Sequence, residues 1–258
     1  MSKIPKARGQ ASPITGPTSI FGREAELRAL RGRLAARQSF LLHGPSGVGK
    51  TLLLSRILPE IAGALYSGDN PTAQVLYRNL AGCLFLARDR YLREACPTLD
   101  SIQKKSAIGL KGVVRDALRD SQYLIVLDHV TQSSQSLAAA VRELRISCSV
   151  PVVTVSRSDH MEDAGFVLRL YSDRKERCAL RNFDPETASQ FASWRMDQDG
   201  LAATNLSDFN EKLVEYSEGN PGAVLQMIRM ARETRYCHDR QIKITPLYID
   251  YKIATVNR

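Results

Sequence analysis

Residues 39–54 read SFLLHGPSGVGKTLLL, and the fold turns on that stretch. Its opening, Phe40 to His43, is a short apolar run of the kind that forms a buried strand. From Lys50 onward Leu52, Leu53, Leu54, Ile57 and Leu58 recur as they do in a helix. Between the two lies Gly44, Pro45, Ser46, Gly47, Val48, Gly49, Lys50, Thr51. Glycines at 44, 47 and 49 let the backbone approach phosphate oxygens closely. Successive N–H groups of the loop and of the helix start then point at the anion. In this pattern Lys50 reaches the β- and γ-phosphates and the Thr51 hydroxyl ligates Mg²⁺, with Leu52 next in the first turn. A glycine-rich turn without a ligand could share the spacing. The strand before it and the helix after it favour the phosphate loop, and so a nucleotide phosphate with Mg²⁺.

Outward from the loop, further apolar runs predict a sheet. The stretch 73–80, AQVLYRNL, reads as a second strand, and YLIVLD at 123–128 as a strand buried on both faces. VPVVTVS at 150–156 is another, and GFVLRL at 165–170 a fifth candidate. Amphipathic helices are predicted before the loop, with Leu27, Leu30, Leu34 and Ala35 in register, and over Ser136 to Leu144. Strands alternating with helices imply a parallel sheet covered on both faces. From about Phe183 the pattern becomes helical. DPETASQFASW and LSDFNEKLVEYSEGN each begin at a capping residue, and PGAVLQMIRMARET starts with proline. The expected class is α/β, a P-loop NTPase sheet sandwiched by helices and followed by a small helical lid domain. The divisions read as a flexible basic arm at 1–18, the core at 19–180, the lid at 181–236 and a C-terminal segment at 237–258. In that last segment QIKIT predicts a short strand and Pro246 a helix start, packed on the lid or docked on another protein.

Asp128 closes the YLIVLD run, where its carboxylate would hold Mg²⁺ through water. With these marks in order, the chain resembles the AAA+ and STAND branch of P-loop ATPases, in particular small prokaryotic and origin-recognition-like members. IFGREAEL (20–27) looks like the box before the loop that lines the adenine pocket. GPSGVGKT is similar to Walker A and YLIVLDHV to Walker B. VVTVSRS (152–158) resembles the sensor 1 strand, and SEGNPGAVLQMIRMA (217–231) the G-x-P motif of the lid. The resemblance spans about residues 19 to 235. It implies that the nucleotide is ATP, that Phe21, Gly22 and Arg23 sit by the base, that Arg157 or Thr154 senses the γ-phosphate, and that Pro221 closes the pocket.

Two departures matter. A second acid usually follows the magnesium aspartate in this family, where it orients the attacking water. Here the residue is His129, a side chain able to take a proton near neutral pH. This predicts slow hydrolysis. The lid carries Asn220-Pro221-Gly222 in the STAND form, with no arginine at the sensor 2 place. Arg229 and Arg232 lie farther along and are not assigned to phosphate. Arg169, Arg174 and Arg177 are the finger candidates by position, or plain surface charges.

The chain has 258 residues, 43% hydrophobic and 24% charged, with a formal charge of +9. That suits a globular protein of one or two domains, with either an anionic partner, nucleic acid before a membrane surface, or simply a solvated basic surface. Its five cysteines are odd in number and widely spaced. This excludes a disulfide framework or zinc set and predicts a reducing, cytoplasmic setting. No apolar run reaches membrane-spanning length, and the start lacks an apolar signal core. Between Arg78 and Arg119 nine basic residues face four acidic ones, a net +5, with Phe85 and Tyr91 as the aromatics. That composition points to backbone contact with DNA rather than base stacking. Two functions fit. One is a slow ATPase coupling nucleotide binding to homo-oligomeric assembly on DNA or a protein partner. The other is a STAND-type switch acting on a protein target without DNA. The box at 20–27 and the lid motif argue against a small-molecule kinase.

Overall fold

In the computed structural model, which describes residues 20–256, the chain enters helix α1 (Glu24–Ala35), seated by Leu30 and Leu34. The basic arm expected at 1–18 lies outside the described residues. Strand β1 (Phe40–His43) and helix α2 (Lys50–Ile57) flank the glycine loop as the apolar runs predict. Pro59 sits in a 3₁₀ turn, Leu58–Glu60, that ends α2.

The next strand is not the stretch at 73–80. Strand β2 is Ala64–Ser67, and 73–80 belongs to helix α3 (Ala73–Leu86). The Thr72 side chain accepts a hydrogen bond from the Val75 N–H, and Leu76, Leu80 and Leu84 bury one face at helical spacing. The four residues of β2 are too few to display an alternation. Helices α4 (Arg90–Ala95), α5 (Leu99–Lys104) and α6 (Ala107–Leu118) follow, capped by Asp89, Thr98 and Ser106. Strand β3 (Leu124–Leu127) is buried at every residue, and so is β4 (Val152–Ser156), with α7 (Gln135–Ile146) between them.

The fifth strand is also displaced. After α8 (Met161–Ala164), residues 166–170 form 3₁₀ turns, and β5 is Arg177–Ala179. The Ser133 carbonyl accepts from the Phe166 N–H and the Ser133 hydroxyl oxygen from the Val167 N–H, so this segment is tied to the start of α7 and not to the sheet. The parallel sheet runs β2-β3-β4-β1-β5, with His43 opposite both Ser156 and Ala179. Parallel strands present their C-terminal ends along one edge, and that edge carries His43, Asp128 and Arg157.

The contacts divide the described chain into two units, one formed by 25–44 and 50–179, the other by 20–24, 45–49 and 180–256. The second holds α9 (Pro185–Gln198), α10 (Leu206–Ser217), α11 (Pro221–Ala231), the hairpin β6 (Cys237–His238) with β7 (Gln241–Ile242), and α12 (Ile244–Val256). Asp184 caps α9 and Asn220 caps α11. Helix α10 starts after Asn205, whose side chain makes no cap. That amide instead bonds both backbone groups of Ile242, at 3.0 and 2.9 Å. The C-terminal segment packs into this unit, with Leu247 buried and Tyr248 stacked 3.8 Å from Tyr216. Among the described residues no helix is long and apolar enough to cross a membrane, and the five cysteines are unpaired.

Candidate functional site

In the first unit the polar centre is Asp128, 1% exposed at the end of β3. Its Oδ2 accepts from the Thr51 hydroxyl at 2.8 Å and from the Tyr66 hydroxyl at 2.8 Å. Its Oδ1 accepts from the His129 N–H at 2.8 Å. Burial, then the Asp128 charge, pushes the Tyr66 pKa far above its ordinary value, so that hydroxyl stays a donor. A carboxylate beside a threonine hydroxyl is the hard-oxygen donor set that Mg²⁺ takes, so these residues fit the ion.

Lys50 places its ammonium 2.6 Å from the Gly44 carbonyl oxygen. Burial lowers its pKa, the Asp128 charge opposes the shift, and Arg157 adds to it. A half-desolvated ammonium gains more from an incoming anion than one in water does. His129 follows Asp128 with φ +54° and a side chain two-thirds exposed. Its Nε2 lies 3.7 Å from Asp128 Oδ2.

Thr154 and Arg157 part company. The Thr154 hydroxyl is fully buried and bonded to the Tyr171 hydroxyl at 2.8 Å, whereas Arg157 is exposed just beyond the strand. Between them Ser156 is 3% exposed, with no hydrogen-bond partner for its hydroxyl among the described residues. Arg177 is held within its own unit, donating to the Tyr171 carbonyl at 2.8 Å and lying 3.4 Å from Asp159. Arg169 covers the Phe166 ring at 4.9 Å, and Arg174 is exposed.

In the second unit Phe21 stacks 5.5 Å from Trp194 and lies 5.6 Å from Phe191. Gly22 follows, with φ +64°. Arg23 is 5% exposed. It donates to the Arg181 carbonyl at 2.6 Å and the Val48 carbonyl at 3.4 Å, with its guanidinium 4.3 Å over Phe183. Pro221 is buried at the first position of α11. The loop residues Pro45 to Gly49 meet the start of that helix. The Asn220 amide donates to the Ser46 carbonyl at 2.9 Å, and the Gly222 N–H to the Gly47 carbonyl at 3.0 Å.

Sequence reasoning missed Tyr66, Ser156 and the contact of Asn220 and Gly222 with the glycine loop. Tyr66 lies on the strand the apolar runs did not reveal. Ser156 was readable as the last residue of VVTVS. The Asn220 contact joins residues 174 apart and left no local signal.

A parallel sheet in this order, with a glycine loop after β1 and a buried aspartate after β3, is the α/β arrangement of a P-loop NTPase fold. Residues 19–155, over half of the chain, match the model of the AAA ATPase domain family, and the chain belongs to it. An uncharacterized protein of Mycobacterium tuberculosis is 30% identical over 151 residues, 57% of this chain and 35% of the relative. The chain thus spans about a third of the length of the curated relatives it matches. Among solved structures it is similar to the Aeropyrum pernix Orc1 protein in complex with DNA. That match has a TM-score of 0.64 at 17% identity and covers 93% of this chain and 66% of the other. It is also similar to a STAND protein with a tetratricopeptide repeat sensor from Pyrococcus horikoshii, with a TM-score of 0.52 at 15% identity, over 92% of this chain and 33% of the other. At these identities the likeness concerns the fold.

Proposed function

We propose that the protein binds Mg-ATP, hydrolyses it slowly, and couples the bound state to self-assembly on DNA or on a protein partner. The observation that carries this reading is the Asp128 carboxylate, buried and gathering Thr51, Tyr66 and the His129 N–H at the strand edge that follows the phosphate loop. Thr51 and Asp128 would hold the Mg²⁺, which when bound offsets phosphate charge. Lys50 would hold the β- and γ-phosphates with the N–H groups of Gly44 to Leu52. Phe21, Gly22, Arg23 and Pro221 are proposed for the base end, and Arg157 for the γ-phosphate. Slow hydrolysis follows from His129. Its imidazole is solvated, its backbone is left-handed, and no acid stands in its place to orient a water. In single-turnover assays His129→Ala should leave the rate within about threefold, against the ~10²-fold or more contributed by a positioned acid–base group. Rapid turnover that collapses in His129→Ala would sink this reading.

The DNA arm rests on the net +5 of residues 78–119 and on the likeness to Orc1. Several of these cations are engaged in ion pairs, Arg90 with Glu94, Lys104 with Asp100 and Lys111 with Glu143. Exposed pairs contribute little, so a phosphate backbone can displace the acids. If about four cations contact phosphates, affinity falls about a hundredfold between ~50 and ~200 mM salt. Absence of binding at ~50 mM salt with an ATP analogue present removes the DNA arm. The second reading, a STAND-type switch on a protein target, is favoured by the Asn220-Pro221-Gly222 start of α11. Assembly mass with ADP, with an ATP analogue, and with analogue plus DNA separates the two. Growth that needs DNA supports the first reading, and a constant monomer the second.

A further inference from the structure

We infer that Asn220 and Gly222 form a clasp that holds the phosphate loop in its anion-receiving shape, so that Asn220 is a positioning residue for the nucleotide. The inference rests on the ATP reading above. Both bonds of the clasp are made to loop carbonyls, those of Ser46 and Gly47. In a planar trans peptide the C=O and the following N–H point in opposite directions. Gripping the Ser46 and Gly47 carbonyls therefore turns the Gly47 and Val48 N–H groups away from α11. The Val48 N–H has only a long 3.4 Å approach to the Pro45 carbonyl. The clasp thus uses the outer groups of the loop and leaves its donors for an anion.

Two glycines are accounted for by this contact. Gly47 occupies a position that the phosphate-loop pattern leaves free. It has φ +81°, and a Cβ there would stand 2.7 Å from the Asn220 Oδ1. A Cβ on Gly222 would stand 2.7 Å from the Gly47 Cα and 2.9 Å from its carbonyl oxygen. The two backbones approach as closely as they do only because neither residue has a side chain. Asn220 is itself fixed. Its Oδ1 accepts the Ala223 N–H at 3.1 Å as the cap of α11, and its amide nitrogen also reaches the Asn182 Oδ1 at 3.1 Å.

The test uses Asn220→Ser in the full chain. Serine caps a helix about as well as asparagine, but its hydroxyl is too short to reach Ser46. Two quantities are measured: Mg-ADP affinity by titration calorimetry, and amide hydrogen exchange without nucleotide. Affinity should fall about tenfold, the loss expected for one hydrogen bond. Exchange should quicken at residues 46–49 while amides within α9 and α10 keep their rates, a localisation that general destabilisation would not give. Gly222→Ala, which pushes the backbones apart, should quicken the same amides. Unchanged exchange at 46–49 in both variants overturns the clasp. Faster exchange with unchanged ADP affinity overturns the positioning role. If the wild type binds no ADP, the ATP reading fails, and with it the positioning role. The exchange comparison then still decides whether the clasp exists.

Discussion

Lys50→Ala will weaken nucleotide binding without unfolding the protein. The lysine ammonium is the one charged donor contributed by the glycine loop, and hydrogen bonds from charged groups to anions are the strong ones. ADP affinity should fall about 10- to 100-fold, the equivalent of losing one charge-assisted bond. Single-turnover hydrolysis should fall by about 10² or more, since the lysine is proposed to face phosphate oxygens that gain charge in the transition state. Stability should behave differently. Burial lowers the Lys50 pKa from 10.5 in the folded protein. A lysine with a lowered folded pKa costs the folded state stability wherever it is charged, a cost relieved only as pH rises toward the folded pKa and above. At neutral pH the alanine variant should therefore melt no lower than the wild type in the absence of nucleotide. Wild-type ADP affinity in Lys50→Ala would overturn the phosphate assignment.

Asp128→Asn should divide metal from nucleotide. The carboxylate accepts on both oxygens, two hydroxyls on Oδ2 and a backbone N–H on Oδ1. An amide offers one acceptor, so with its oxygen kept on the His129 N–H its NH₂ faces the Thr51 and Tyr66 hydroxyls, which must turn from donors into acceptors. The negative charge available to a divalent cation is lost as well. Hydrolysis should drop by about 10² to 10³. ADP affinity measured in excess chelator should stay within about threefold, less than the loss of one hydrogen bond, because Asp128 is proposed to reach the nucleotide only through the metal. The gain in affinity that Mg²⁺ gives the wild type should disappear. Exchanging charge-assisted bonds for neutral ones should also cost about 1–2 kcal/mol of stability, read from denaturant unfolding. An Mg²⁺ response as large as the wild type's would remove Asp128 from the metal site.

Much of the fold was legible because its central strands are continuous apolar runs beside punctuation. FLLH stands against a glycine loop, LIVL ends in an acid, and VVTVS follows a proline. The edges were not legible. β2 is four residues between Gly63 and Gly68, and β5 is Arg177–Ala179, a strand only because it pairs with β1. AQVLYRNL was mistaken for a strand because valine, leucine and tyrosine favour strands, yet the Thr72 cap and the 76–80–84 spacing decide for a helix. GFVLRL failed for another reason. Gly165, at φ +64°, and the bonds to Ser133 turn the chain before a strand can run. At the candidate site Lys50, Thr51 and Asp128 announced themselves through the spacing of a glycine loop and an apolar run. Tyr66 did not, and Asn220 did so only as part of the lid motif, without its bond to the loop. Each acts through a contact with a residue remote in sequence, and a local pattern carries no record of such a contact.

The order of the sheet also sets when the protein can fold. β1 pairs with β4 and β5, so its neighbours are residues 152–156 and 177–179. Among the described residues no segment made before them offers β1 a partner strand. At ~5–20 residues per second, the ribosome leaves Phe40, Leu41 and Leu42 without their sheet for on the order of ten seconds. Through that interval the apolar strand that introduces the phosphate loop is open to chaperones or to other nascent chains. Its first unit closes from the inside outward, once β4 arrives, and long-range pairing of this kind makes for slow folding.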